Sequence, residues 1–222
     1  MIKAVLFDLD ETVILRSGAI RSFIKDQYAR FAPALRGLSE QEFTESFLTT
    51  EKNGVIAKDL VYPELVRSLG IDGVSPDALL EDYRQRYPNY ASPSPGAIET
   101  IRAVREAGLR TGIVSNGNVR VQNAKIDAIG LRDAMDVIVI SEEVGIRKPD
   151  PAIFELATSK LDVDSESALF VGDNPEVDIV GAANAGLQTA WFRNGANWPP
   201  GVSPRADVDI DVLSEILTYP GR

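Results

Sequence analysis

Ala4-Val5-Leu6-Phe7-Asp8-Leu9-Asp10-Glu11-Thr12 is the stretch whose reading decides the fold. Its first four residues are continuously apolar rather than alternating, the pattern of a short strand buried on both faces of a parallel sheet. The run meets charge at Asp8. Residues two apart on extended backbone point the same way, so Asp8 and Asp10 can converge at the strand's carboxyl end, the edge at which open α/β sheets bind ligands. Two adjacent carboxylates repel, and an ionised pair implies a cation. All-oxygen donors suit magnesium. A strand-ending Asp8 and a turn-capping Asp10 explain the same letters, and this stretch alone leaves both readings open.

Comparable apolar runs recur at Thr111–Val114, Val137–Ile140, Ala168–Val171 and Thr189–Phe192. Helical stripes separate them: Ala97, Ile98, Ile101 and Val104; Ile153, Phe154, Ala157 and Leu161 behind Pro151; and Val177, Val180 and Ala183. From Ser94 onward helix and strand alternate, which predicts an α/β fold with a doubly wound, Rossmann-like parallel sheet. The eighty-odd residues after the first strand have another texture. Ile20, Phe23, Ile24, Gln27 and Phe31 share one helical face on which only Gln27 is polar. Ser39 and Glu42 have capping-box spacing, Val61, Leu65, Val66 and Leu69 are helical, and Ser75-Pro76 opens a helix carrying Leu79, Leu80 and Tyr83. The expected organisation is therefore an α/β core of residues 1–14 and 93–222, interrupted by an all-helical insertion, 15–92. Residues 195–206 read as an exposed loop before a short final strand and helix.

The bulk composition narrows the chemistry. Hydrophobic residues make up 44% and charged residues 25% of the 222, enough for a full core. The net charge of −10 opposes non-specific binding to nucleic acid polymers. Cysteine and histidine are both absent. That removes disulfides, a thiolate nucleophile, the commonest zinc ligands and any Ser-His-Asp triad. Acid–base chemistry must then use carboxylates, lysines, tyrosines or metal-bound water. The apolar run at Met1–Phe7 is too short for a signal peptide or a spanning helix, so no membrane association and a cytoplasmic location are the default expectations. Monomer and homodimer are both left open.

Three further strand ends carry polar residues. Ser115-Asn116-Gly117 can bind phosphate oxygens through a hydroxyl and backbone N–H groups, and is equally an ordinary turn. Lys148, in Gly145-Ile146-Arg147-Lys148-Pro149-Asp150-Pro151, can neutralise a nucleophile and a bound phosphate together, or be a solvated surface lysine. Gly172-Asp173-Asn174-Pro175-Glu176-Val177-Asp178 again places acids at the same edge, although Glu176 and Asp178 also suit the first turn of a helix.

Together these segments resemble the four motifs of the haloacid dehalogenase superfamily: Asp8-Leu9-Asp10-Glu11-Thr12 the first, Ser115 the second, Lys148 the third, and Gly172-Asp173 with Asp178 the fourth. The likeness extends over essentially the whole chain, and the helical insertion resembles the small cap of the first subfamily. It implies a phosphatase for a small phosphorylated metabolite. Asp8 would be the nucleophile and Asp10 the acid–base. Ser115, the Asn116 backbone N–H and Lys148 would bind phosphate. Magnesium would be held by Asp8, the backbone carbonyl of Asp10 and Asp173, with Asp178 touching the metal or orienting Lys148. Many relatives carry glycine where Glu11 stands. Substrate choice would then lie in the insertion, with Arg16, Lys52, Asn53, Arg84 and Arg86 as candidates, or at Glu11. A phosphomutase shares the same intermediate. A haloacid dehalogenase proper typically lacks the second acid, and a receiver domain lacks the insertion and places its acids on different strands.

Overall fold

The computed structural model describes residues 1–221. They divide into two compact units, Met1–Leu15 with Ser92 onward, and Arg16–Ala91.

The first unit is built on six strands: β1 (Ala4–Phe7), β2 (Arg110–Ser115), β3 (Val137–Ile140), β4 (Ala168–Gly172), β5 (Gln188–Phe192) and β6 (Val208–Ile210). Their order across the sheet is β3-β2-β1-β4-β5-β6, and every neighbouring pair is parallel. This is the doubly wound α/β architecture, with β1 at its centre. Ala4 and Leu6 join one hydrophobic core with Ile153, Phe154 and Ala157, whereas Val5 and Phe7, on the opposite face, are buried as well. A strand covered on both sides has no use for alternation, which is why β1 reads as an unbroken apolar run. Register sets the functional edge. Phe7 pairs with Ile113 on one side and Val171 on the other, so Asp8 leaves the sheet level with Gly172 and one position short of Ser115.

The second unit contains four helices: α1 (Arg16–Phe31), α2 (Glu40–Glu51), α3 (Lys58–Ser68) and α4 (Pro76–Arg86). The Ser39–Glu42 capping box is formed in full, and Ser75 caps α4. The lone polar residue on the inner face of α1, Gln27, is wholly buried and satisfied: its amide donates to the Leu79 carbonyl at 2.9 Å and accepts from the Tyr62 hydroxyl at 3.0 Å. Phe23 lies edge-on to Tyr83, Tyr87 and Tyr90. Arg16, a substrate-choice candidate in the sequence, is buried and paired with Glu51. Lys58 meets the same carboxylate at 2.9 Å.

The remaining helices, α5 (Ala97–Glu106), α6 (Val119–Ala128), α7 (Ser141–Val144), α8 (Pro151–Leu161) and α9 (Gly181–Asn184), belong to the first unit. Two local structures differ from the sequence expectation. The stripe through Val177 and Val180 begins as a π-helical turn, Pro175–Val180, before α9. The chain also ends in a 3₁₀ segment, Leu213–Thr218, rather than an α-helix. Side-chain period distinguishes apolar from polar faces but not one extra residue per turn. No described helix is long and apolar enough to cross a membrane.

Candidate active site

Asp8 follows β1 directly, and its N–H donates to the Val171 carbonyl at 2.9 Å, extending the ladder to the edge. Its carboxylate meets Lys148, which is buried and bridges two acids: Nζ lies 2.5 Å from Asp8 Oδ1 and 2.7 Å from Asp178 Oδ1. The loop carrying Lys148 is held by Asn116. The Asn116 side-chain oxygen accepts from the Lys148 N–H at 2.9 Å, and its amide nitrogen donates to the Lys148 carbonyl at 3.0 Å. The Asn116 side chain thus locks the third motif to the second, and only its backbone is left for phosphate.

Asp178 is placed by the π-helical turn. Asn174 caps that turn through its side chain, and the Asn174 N–H donates to Asp178 Oδ2 at 3.0 Å. Gly172 makes the close approach possible, since a Cβ there would sit 2.6 Å from the Asp178 Cβ. Asp173 is fixed through its carbonyl, which accepts from the Trp191 indole N–H at 2.8 Å. One carboxylate oxygen from each of Asp8, Asp173 and Asp178 lies within 4.8 Å of the others.

The electrostatics of this group are unbalanced. Burial pushes the Asp8 carboxyl up from 3.8 to about 7, against the pull of Lys148. Burial, reinforced by Asp178 and Asp8, pushes Asp173 up to about 8. Lys148 stays protonated: burial alone would lower it, but Asp178 and Asp8 outweigh that and raise it. One ammonium divided between two acids does not offset three clustered carboxylates, two of them buried and Asp173 half-buried. The missing positive charge, the all-oxygen donors and their mutual spacing fit a hard divalent cation. Lys148 takes Oδ1 of Asp8, so the second Asp8 oxygen is the one left to face such an ion.

Asp10 behaves differently. Its carboxylate is outside the three-acid group and is held by α6. Lys125 Nζ lies 2.6 and 2.7 Å from its two oxygens, and Gln122 Nε2 lies 3.0 Å from Oδ2. The same Gln122 nitrogen donates to Ser115 Oγ at 2.7 Å, joining the second motif to the first. Glu11 has a left-handed backbone, φ 63°, pinned by a bond from its N–H to the Ile14 carbonyl and by the Asn194 amide on its own carbonyl. A left-handed position favours glycine, so Glu11 stands where glycine would carry no steric cost.

The model of the haloacid dehalogenase-like hydrolases matches residues 2–186. This chain belongs to that family. It is 33% identical to a glyceraldehyde 3-phosphate phosphatase of Methanopyrus kandleri, across 95% of this chain and 91% of that protein. It is 31% identical to a ribulose-1,5-bisphosphate 5-phosphatase of Halopiger xanaduensis, across 97% and 98%. The crystal structure of a haloacid dehalogenase-type phosphatase from Thermococcus onnurineus is similar over 100% of this chain and 99% of that one, with 28% identity and a TM-score of 0.75.

The sequence reading missed Gln122 and Lys125. They stand three apart on α6, hence on one face. The available signal was a glutamine and a lysine at that spacing directly behind Ser115-Asn116-Gly117.

Proposed function

We propose that this haloacid dehalogenase-like hydrolase cleaves a small phosphate monoester through a phosphoryl group carried transiently on Asp8, and that its acidic site holds magnesium. The observation that carries the reading is the Lys148 ammonium shared by Asp8 and Asp178 inside a three-carboxylate group, with Ser115 at the same sheet edge. The relatives above, named as phosphatases of small phosphorylated metabolites, support the substrate class.

In the first step an Asp8 oxygen forms a bond to phosphorus as the ester P–O bond breaks, and the departing oxygen takes a proton from Asp10. In the second, water attacks the phosphoryl group on Asp8 and gives its proton to Asp10. Inorganic phosphate leaves, and Asp8 returns as a carboxylate. Lys148 lies against the nucleophile and stabilises charge spread onto the phosphoryl oxygens. The Ser115 hydroxyl and the Asn116 N–H hold those oxygens. Asp8, Asp173, the Asp10 carbonyl and Asp178 would hold the metal, which when bound supplies positive charge to the carboxylates and the phosphoryl group. Without histidine, proton transfer falls to Asp10.

The helical unit Arg16–Ala91 is proposed as a substrate-selecting cap, and a cytoplasmic location is proposed for the enzyme. The test is release of inorganic phosphate from p-nitrophenyl phosphate and from a panel including glyceraldehyde 3-phosphate and ribulose 1,5-bisphosphate. Release should require magnesium and stop with EDTA. Full activity in EDTA contradicts the metal role, and no release from any ester contradicts the reading.

A further inference from the structure

Gln122 and Lys125 are almost completely buried, at 3% and 2% exposure, and both spend their polar ends on the site. A buried ammonium straddling both oxygens of one carboxylate fixes that carboxylate's rotation as well as its position. The Gln122 amide nitrogen has two protons and two close acceptors, Asp10 Oδ2 and Ser115 Oγ, so a single group sets the distance between the acid–base and the hydroxyl. Because Ser115 Oγ accepts from Gln122, its own proton points away from Gln122, with only a long contact to the Asn116 carbonyl at 3.5 Å to give up to a phosphoryl oxygen.

The platform is rigid. Asn118 caps α6 by accepting from the Val121 N–H at 3.2 Å, and Glu142 accepts from the Val119 N–H at 2.7 Å and from the Asn118 amide at 2.8 Å. Gly117 leaves room for the reach, since a Cβ there would lie 3.1 Å from the Gln122 Cδ and Cγ. All of these residues belong to the α/β unit.

We propose that Gln122 and Lys125 are positioning residues, a clamp that holds Asp10 in line with the leaving oxygen and Ser115 as a donor to the phosphoryl group. The inference rests on the phosphatase reading and adds a consequence to it. Proton delivery matters most when the departing oxygen is strongly basic. An alkyl ester depends on a well-placed Asp10, whereas p-nitrophenolate leaves with little help. The clamp therefore governs how far the enzyme can act on sugar-like and polyol phosphates as opposed to activated aryl esters.

The experiment measures single-turnover phosphorylation of the enzyme by β-glycerol phosphate and by p-nitrophenyl phosphate with magnesium present. Lys125→Met should lower the alkyl rate by about 100-fold and the alkyl-to-aryl ratio by at least about tenfold, and Lys125→Arg should recover most of that ratio. Gln122→Leu should lower the ratio less and weaken binding of inorganic phosphate about tenfold by calorimetry, the loss of one hydrogen bond to a charged array. If Lys125→Met does not fold, Lys125→Arg and Gln122→Leu decide the matter. An unchanged ratio across the folding variants, or equal losses on both esters, overturns the clamp while the phosphatase reading stands. A wild type inactive on these two esters and on every ester of the panel above overturns both.

Discussion

Each unit of the molecule buries a cluster of charges, and the two clusters have opposite balance. At the edge of the parallel sheet, Asp8, Asp173 and Asp178 surround one ammonium, Lys148. In the helical unit, one carboxylate, Glu51, meets two cations, Arg16 and Lys58. Glu51 is 1% exposed, and its Oε1 has no hydrogen-bond partner among the described residues. A buried carboxylate given an ample share of positive charge serves as a structural tie. Where three carboxylates share one ammonium, Asp8 and Asp173 are left holding protons near neutrality or waiting for a cation. The difference separates a cluster that holds helices together from one prepared for chemistry.

The contrast breaks first at Asp8. Asp8→Asn keeps the shape and removes the attacking charge, so turnover should fall by several orders of magnitude, on the order of 5 kcal/mol in barrier. Folding should survive, because burial already disfavours the charge at that position. Steady-state assay beside a thermal melt measures both. A melt collapsing together with activity would make Asp8 structural.

The helical cluster should respond the other way round. Glu51→Ala leaves Arg16 and Lys58 without the carboxylate that joins them, and removing one partner from a buried ion cluster costs about 3–5 kcal/mol. A denaturant titration should show that loss. A loss under about 1 kcal/mol, as at an exposed pair, would erase the distinction drawn here.

Protons sharpen the comparison. The folded-state pKa values of Asp8 and Asp173, about 7 and about 8, exceed the ordinary value of 3.8. A group raised in this way stabilises the fold fully below its unfolded value, and that stability is lost as pH rises through the folded value. Metal-free protein should therefore lose stability progressively as pH rises from about 4 to about 8, a loss still under way between pH 6 and pH 8. A cation in the site reverses the loss, so the rise in melting temperature on adding magnesium should be larger at pH 8 than at pH 6. Asp173→Ala should shrink that rise and raise the magnesium requirement steeply. A rise independent of pH would contradict the account of the acid cluster.

The smallest expected effect is at Glu11. A left-handed residue that is not glycine costs about 1–2 kcal/mol, partly offset by the greater freedom glycine loses on folding, about 0.5–1 kcal/mol. Glu11→Gly should therefore stabilise by up to about 1.5 kcal/mol in denaturant titration. Destabilisation would mean that the Glu11 side chain contributes more than its backbone costs.

Most of the fold was legible because the strands that place the site are short unbroken apolar runs, and a parallel sheet buried on both faces requires such runs. Asp8, Asp10 and Asp173 were legible as candidates because they stand at or just beyond the end of such a run, and Lys148 and Asp178 because they follow in the loop beyond β3 and the turn beyond β4. The structure adds what period and spacing do not encode. Helix α6 has no clean apolar stripe, since Gln122 and Lys125 occupy its buried face, and the residues that obscured the helix are those that hold Asp10. Arg16 reads as a substrate-choice candidate until Glu51, 35 residues away, is seen beside it. The π-helical turn at Pro175–Val180 depends on Asn174 bonding two N–H groups ahead of it, a local geometry that composition does not reveal.

The most direct measurement of the central claim is to trap the phosphoryl group. Enzyme mixed with magnesium and substrate, quenched in acid and reduced with tritiated borohydride, should carry tritium on the side chain at position 8, where hydride displaces phosphate from the acyl phosphate and reduces the carboxyl to an alcohol. Asp8→Asn should carry none. A mark on another residue, or Asp8→Asn turning over at near the wild-type rate, would contradict covalent catalysis at Asp8 while leaving the fold and family as described.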